Sequence, residues 1–328
     1  MLRMRHMALA LSSTFIFVAV ARAATGDVIL SVDSSFPSPD GLMWDGQYLW
    51  ATDCSTSRID KVDPRTGQVV GSIDVTGVNS DELAWDGDAM WVSDHTATEM
   101  PGMGAPPPRL YRVDPETATV LASFDAPGAS KYPMGMACDG ESLWNLDPWD
   151  RKIFQLDPAT GATKRSIPAP AMGACGLTFD GACLWVTDAA TDGRVYHVDP
   201  ASGEVLSSFD GPGGPGHQTT GVAWDGRDLW LHDEATGRAK IHKVRVEDIT
   251  EAGRCAGAFQ VGLDGGVPAP DGGRRAADGG PGTGGQAGAD AAGGGCSLGD
   301  EATVWPAMAL GLLLAGLLVA TVRRGRGR

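Results

Sequence analysis

The dipeptide Asp-Gly recurs at Asp45, Asp86, Asp139, Asp180 and Asp225, at spacings of 41, 53, 41 and 45 residues. Its five surroundings read alike: GLMWDGQYLWATD, ELAWDGDAMWVSD, GMACDGESLWNLD, GLTFDGACLWVTD and GVAWDGRDLWLHD. Two apolar runs around an Asp-Gly turn are the strongest short-range hairpin signal. A third run ends in KVDPRTG, RVDPETA, QLDPATG or HVDPASG. There Pro presets φ, and the residue after Thr or Ser, Gly in three copies, can take a left-handed conformation. A fourth run follows, as in QVVGSID, TVLASFD and EVLSSFD. Four antiparallel strands per roughly 40 residues describe a propeller blade. The last copy has a third strand, from Lys240 to Val246, but no DPxTG turn, whereas Gly26 to Asp33 ahead of the first copy reads as a fourth strand. The N-terminal strand therefore completes the fifth blade and closes the ring, removing its free edges. The expectation is an all-β, five-bladed propeller within residues 24–255.

Trp50, Trp91, Trp144, Trp185 and Trp230 share one register, and Trp44, Trp85 and Trp224 another, in which Cys138 and Phe179 substitute. Aromatics at repeat positions are expected to pack blade against blade. Six cysteines fit an oxidising compartment. Cys138 and Cys183, both unusual residues near the same end of neighbouring blades, are the expected disulfide.

The two ends of the chain give an address. Residues 1–23 combine a basic start, an apolar core and Ala21-Arg22-Ala23, the pattern of a secretory signal peptide cut after Ala23. Residues 256–295 are Gly, Ala, Pro and Asp with little to bury, a flexible linker. Residues 303–322 carry no charge and are long enough to span a bilayer as a helix, and Arg323, Arg324, Arg326 and Arg328 follow. The positive-inside bias places that arginine cluster in the cytoplasm and the body outside. Residues 296–328, opening on Cys296-Ser297 after three glycines, resemble the MYXO-CTERM sorting tail. That resemblance implies processing at Cys296 and attachment to the cell surface; a plain single-pass anchor is the alternative. The net charge is −15, and an acidic chain repels phosphate, which disfavours nucleic acid as a partner. A closed propeller needs no second copy to complete its core, so a monomer is expected.

Strand order places the Asp-Gly and DPxTG turns on one face of the propeller. On the other face every second strand ends in an aspartate: Asp53, Asp94, Asp147, Asp188 and Asp233. Five such carboxylates are candidate ligands for a hard cation such as Ca2+. Because the residue recurs in every blade, capping of its own loop is the simpler account. The loops entering the first strands vary, as binding positions do on a fixed scaffold. They offer Asp40, Asp81 and Glu82, Tyr132 and His217 as candidate ligand contacts, with ordinary solvated turn residues as the simpler account. Only the second copy carries an insertion, His95 to Arg109, a candidate flap over the channel mouth with His95, Met100 and Met103 as soft-metal candidates.

Repeats of the form xDGxLWVTD…VDPxTG resemble the YVTN and streptogramin-lyase-like propellers, and the five-blade count resembles the glutamine cyclotransferase group. That group has FTQG, FGEG, GWGL, NELE and LNG where its first strands begin; this chain has SPDG, NSDE, PMGM, ACGL and TTGV. The resemblance implies Asp81 in place of the group's acidic Glu and Asp40 in place of its Gln, with the Trp, Asn and second acidic motifs unmatched. The expected function is a surface-tethered, noncatalytic module that binds a ligand or partner on the acidic channel face. The alternatives are a cyclotransferase-like enzyme with Asp81 as acid/base, and a streptogramin-lyase-like enzyme using His217, His95 or His232.

Overall fold

The computed structural model of the protein describes residues 25–36, 39–53, 56, 58–95, 107–190, 193–214, 217–233 and 239–246. The signal peptide, linker, sorting tail with Cys296, membrane span and most of the blade-two insertion lie outside these residues. Among the described residues no helix occurs and twenty strands form five four-stranded sheets.

Blade one contains β2 (Pro39–Trp44), β3 (Leu49–Asp53), β4 (Arg58–Val62) and β5 (Val69–Asp74). Blade two contains β6 (Leu83–Trp85), β7 (Met90–Asp94), β8 (Arg109–Val113) and β9 (Val120–Asp125). Blade three contains β10 (Met136–Cys138), β11 (Leu143–Asp147), β12 (Lys152–Leu156) and β13 (Thr163–Pro168). Blade four contains β14 (Ala174–Phe179), β15 (Leu184–Asp188), β16 (Arg194–Val198) and β17 (Val205–Asp210). Blade five combines β18 (Thr219–Trp224), β19 (Asp228–Asp233) and β20 (Lys240–Arg245) with β1 (Val28–Asp33). The β1–β20 pairing, with Ser31 opposite His242 and Val32 opposite Ile241, closes the ring as the repeat arithmetic requires.

One device recurs in every blade and explains the Asp-Gly…Trp spacing. In blade one, Asp45 Oδ1 accepts the backbone N–H groups of Gln47 and Tyr48, at 2.8 and 2.7 Å, holding the turn. Its Oδ2 accepts the indole N–H of Trp50 at 2.7 Å. The same indole-to-carboxylate bond joins Trp91 to Asp86, Trp144 to Asp139, Trp185 to Asp180 and Trp230 to Asp225, at 2.7–3.1 Å. The glycine after each aspartate lies between +88° and +99° in φ, where a side chain is strained. The turn thus fixes a large aromatic between sheets while satisfying its only polar atom. Trp91, Trp144 and Trp185 are fully buried, and each joins a cluster that spans two neighbouring blades.

The structure corrects the cysteine expectation. Cys138 and Cys175 are free thiols, and Cys183 bonds to neither of them. Cys138 packs against an apolar cluster drawn from blades two and three, while Cys183 lies beside the Asp180 turn of blade four.

Candidate functional site

The inner strands begin on the face opposite the Asp-Gly turns, and their first residues converge on the central channel. Aligned by register, Asp40, Asp81, Met134, Cys175 and Thr220 are equivalent. The next positions are Gly41, Glu82, Gly135, Gly176 and Gly221. Four of those five are glycine for a steric reason. A Cβ on Gly41, Gly135, Gly176 or Gly221 would stand 2.4–2.5 Å from a backbone carbonyl oxygen of the adjoining blade. Glu82 breaks the rule in blade two. Its side chain is fully buried, and neither carboxylate oxygen has a hydrogen-bond partner.

Glu82 meets two other buried groups there. Asp40, Glu82 and Cys175, from three different blades, each bring one ligand-type atom to within 4.8 Å of the other two. Cys175 Sγ stands 4.0 Å from Asp40 Oδ1. Burial, then the charges of Asp40 and Asp81, push the Glu82 carboxyl well above its ordinary range. Burial, then Asp40 and Glu82, raise the Cys175 thiol in the same way.

Asp81 is anchored beside this group. Its Oδ2 accepts the backbone N–H of His95 at 2.9 Å and lies 2.5 Å from His95 Nδ1. Its Oδ1 is buried without a partner. Burial raises the Asp81 carboxyl, and the His95 charge opposes that rise. The repeat pattern carries no sign of this pairing, because His95 opens the blade-two insertion; Met100 and Met103, the other soft-metal candidates, lie outside the described residues. The His95 ring stands 4.5 Å from that of Tyr132, which in turn meets Trp149 edge-on at 6.1 Å and 85°.

That aromatic row borders a cleft of about 200 Å³ lined by Tyr132, Met134, Trp149, Met172, Cys175 and Ala189, among others. Trp149 and Met172 are 56% and 58% exposed, while Cys175 at the inner end belongs to the buried group. The cleft therefore has an apolar outer lip and reaches Cys175, one member of the buried group at the channel head. Trp149 was missed from sequence; its signal was that it fits neither tryptophan register.

Three of the five rim aspartates accept hydrogen bonds on their carboxylates. Asp147 accepts the Ser130 hydroxyl and the N–H groups of Tyr132 and Asp150, at 3.0 and 2.9 Å for the latter two. Asp94 accepts from Asn79 N at 3.1 Å, and Asp188 from Ala190 N at 2.9 Å. Asp53 receives the Thr56 N–H on its backbone carbonyl at 3.0 Å. Asp233 lies 3.8 Å from His217 Nδ1 and 3.6 Å from His242 Nε2. Among the described residues no three of these five share metal-ligand distances. The structure thus brings Asp40, Asp81 and Glu82 together, joins Tyr132 to them through His95, and leaves His217 with Asp233. His232, fully buried and edge-on to Phe36, is lowered by burial to about 4. A second grouping, Asp180, Cys183 and His197, lies at the Asp-Gly end. There Asp180 is already engaged by Trp185, His197 and two backbone N–H groups.

No family model and no curated protein matches the sequence. Among solved structures, the glutaminyl cyclase of Myxococcus xanthus is similar, with a TM-score of 0.54 and 13% identity, over 67% of this chain and 97% of that one. A chain of the nidogen/laminin complex matches more loosely, with a TM-score of 0.42 and 18% identity over 58% of this chain and 69% of its own. At these identities the likeness is one of fold.

Proposed function

We propose that the protein is a noncatalytic binding propeller that takes a small ligand at the channel mouth, with an apolar group in the Trp149–Met172 cleft and a polar head at Asp40, Asp81 and Glu82. The observation that supports this most is that Cys175 belongs both to the lining of the cleft and to the group it forms with the buried Asp40 and Glu82. Ligand sites combine apolar walls with a few convergent polar groups in this manner. The terminal segments, read from sequence, would export the body and tether it to the cell surface. Arg245, the last strand residue, pairs with Asp228 next to the Asp-Gly turn. The chain thus leaves the propeller on the face opposite the cleft, which suits a tethered receptor.

A second reading rests on the buried Asp81–His95 pair together with the fold match to a glutaminyl cyclase. In a cyclotransferase-like reaction the α-amine of an N-terminal glutamine attacks its own side-chain amide and ammonia leaves. Asp81 would carry the proton between them.

One probe separates the two readings: the dipeptide Gln-Phe, titrated by calorimetry while ammonia release is followed by mass spectrometry. Saturable binding without ammonia, weakened about tenfold or more by Trp149→Ala, supports the binding module. Ammonia release that vanishes in Asp81→Asn makes the protein an enzyme. Neither binding nor turnover removes N-terminal peptides from the ligand classes the cleft serves and counts against both readings.

A further inference from the structure

We propose that Asp40, Glu82 and Cys175 form a site for one divalent cation of the zinc type at the head of the channel. The proposal goes beyond the ligand reading and does not depend on it. Each residue comes from the start of a different inner strand, so the closed ring itself assembles the triad. The three ligand-type atoms already lie within 4.8 Å of one another. Around zinc, with bonds of about 2.0–2.3 Å, tetrahedral neighbours stand roughly 3.3–3.8 Å apart. The 4.0 Å between Cys175 Sγ and Asp40 Oδ1 is already close to that spacing.

Two observations point independently to a ligand. The Glu82 carboxylate is fully buried with both oxygens unpartnered, an arrangement that is costly unless a cation or hydrogen bonds satisfy it. Glu82 also stands where the four other blades carry glycine packed against a neighbouring carbonyl. Nothing in the scaffold calls for an acid there, since the other blades close without one. The donor set selects the metal class. A thiol with two carboxylates suits zinc better than calcium or magnesium, which take oxygen ligands. Three protein ligands leave one coordination position, and Cys175 also lines the inner end of the cleft.

The test uses full-length protein stripped by a chelator and titrated separately with Zn2+, Co2+ and Ca2+. We expect one Zn2+ per chain, bound at least tenfold more weakly by Glu82→Gly and by Cys175→Ser. Co2+ should give a thiolate-to-metal absorption band that Cys175→Ser abolishes. Glu82→Gly installs the residue of the other four blades, and an unchanged circular dichroism spectrum shows that it still folds. The proposal is overturned if the folded wild type takes up no stoichiometric Zn2+, if both variants keep wild-type affinity, or if Ca2+ binds as tightly as Zn2+. Gln-Phe binding by the stripped protein is measured in parallel, so failure of the cation site and failure of the ligand reading are told apart.

Discussion

Asp81 receives two bonds from one residue: the backbone N–H of His95 at 2.9 Å and its ring Nδ1 at 2.5 Å. The pair thereby pins the first residue of the blade-two insertion to the inner strand of the same blade. His95→Ala would leave the buried Asp81 carboxyl without its ring partner. Removing one member of a buried pair typically costs about 3–5 kcal/mol. We expect a loss of about 3 kcal/mol at pH 7 in urea denaturation. Burial raises the Asp81 carboxyl, and the variant, lacking the opposing His95, would raise it further. Lowering the pH protonates Asp81 and removes the uncompensated charge, so the gap to wild type should narrow at pH 5. A gap that is equal at both pH values would count against this account.

His232 should make the fold acid-sensitive. Its folded value of about 4 lies below the ordinary 6.5, so below pH 6.5 the unfolded chain binds the extra proton. Stability tied to this ring is full above pH 6.5 and falls progressively as pH drops toward 4. The full shift is worth on the order of 3 kcal/mol. His232→Thr, the residue found at the equivalent positions Thr52 and Thr187, should flatten the stability profile between pH 6.5 and 4. An unchanged slope in the variant would assign the sensitivity to other groups.

The glycines at the channel head should resist substitution. In Gly221→Ala the new methyl would stand 2.4 Å from the Asp40 carbonyl oxygen, a clash between backbone-anchored atoms of two blades. Overpacking of this kind costs roughly 1–3 kcal/mol. The expected result is a melting temperature lowered by several degrees, measured by calorimetry. Wild-type stability would mean that the ring expands freely.

Ala118 offers the reverse experiment. It occupies the left-handed position that glycine fills in the DPxTG turns of the other copies, at a φ of 57°. A side chain there costs about 1 kcal/mol. Ala118→Gly should therefore stabilise the protein by about that amount, read as a higher urea midpoint. A lower midpoint would show that the methyl's packing against the Val92 and Val113 cluster outweighs the strain.

The blades were legible from sequence because two turn chemistries, Asp-Gly and DPxTG, recur with a period that only radial repetition accommodates. The closing strand was legible too, since GDVILSVD matches a fourth strand and the last copy lacks one of its own. The channel head was half legible. Asp40, Asp81 and Glu82 stood out as loop acids, but their burial depends on five inner strands converging, which no single copy shows. The substitution of Glu82 for glycine was present in the alignment of PDGL, SDEL, PMGM, ACGL and TTGV, and becomes meaningful only once each glycine is seen against its neighbour's carbonyl. The Cys138–Cys183 expectation failed because sharing a face says nothing about which neighbouring blade a side chain turns toward.

The join between β1 and β20 has a consequence for assembly. Val28 pairs with Val244, so the first described strand finds its partner only when nearly the whole body is present. A chain emerging N-terminus first must carry Val28, Ile29 and Leu30 as an unpaired, apolar edge throughout that delay. The propeller therefore behaves as a belt whose buckle arrives last: until residues 240–245 appear, its earliest strand remains open to pairing with another chain.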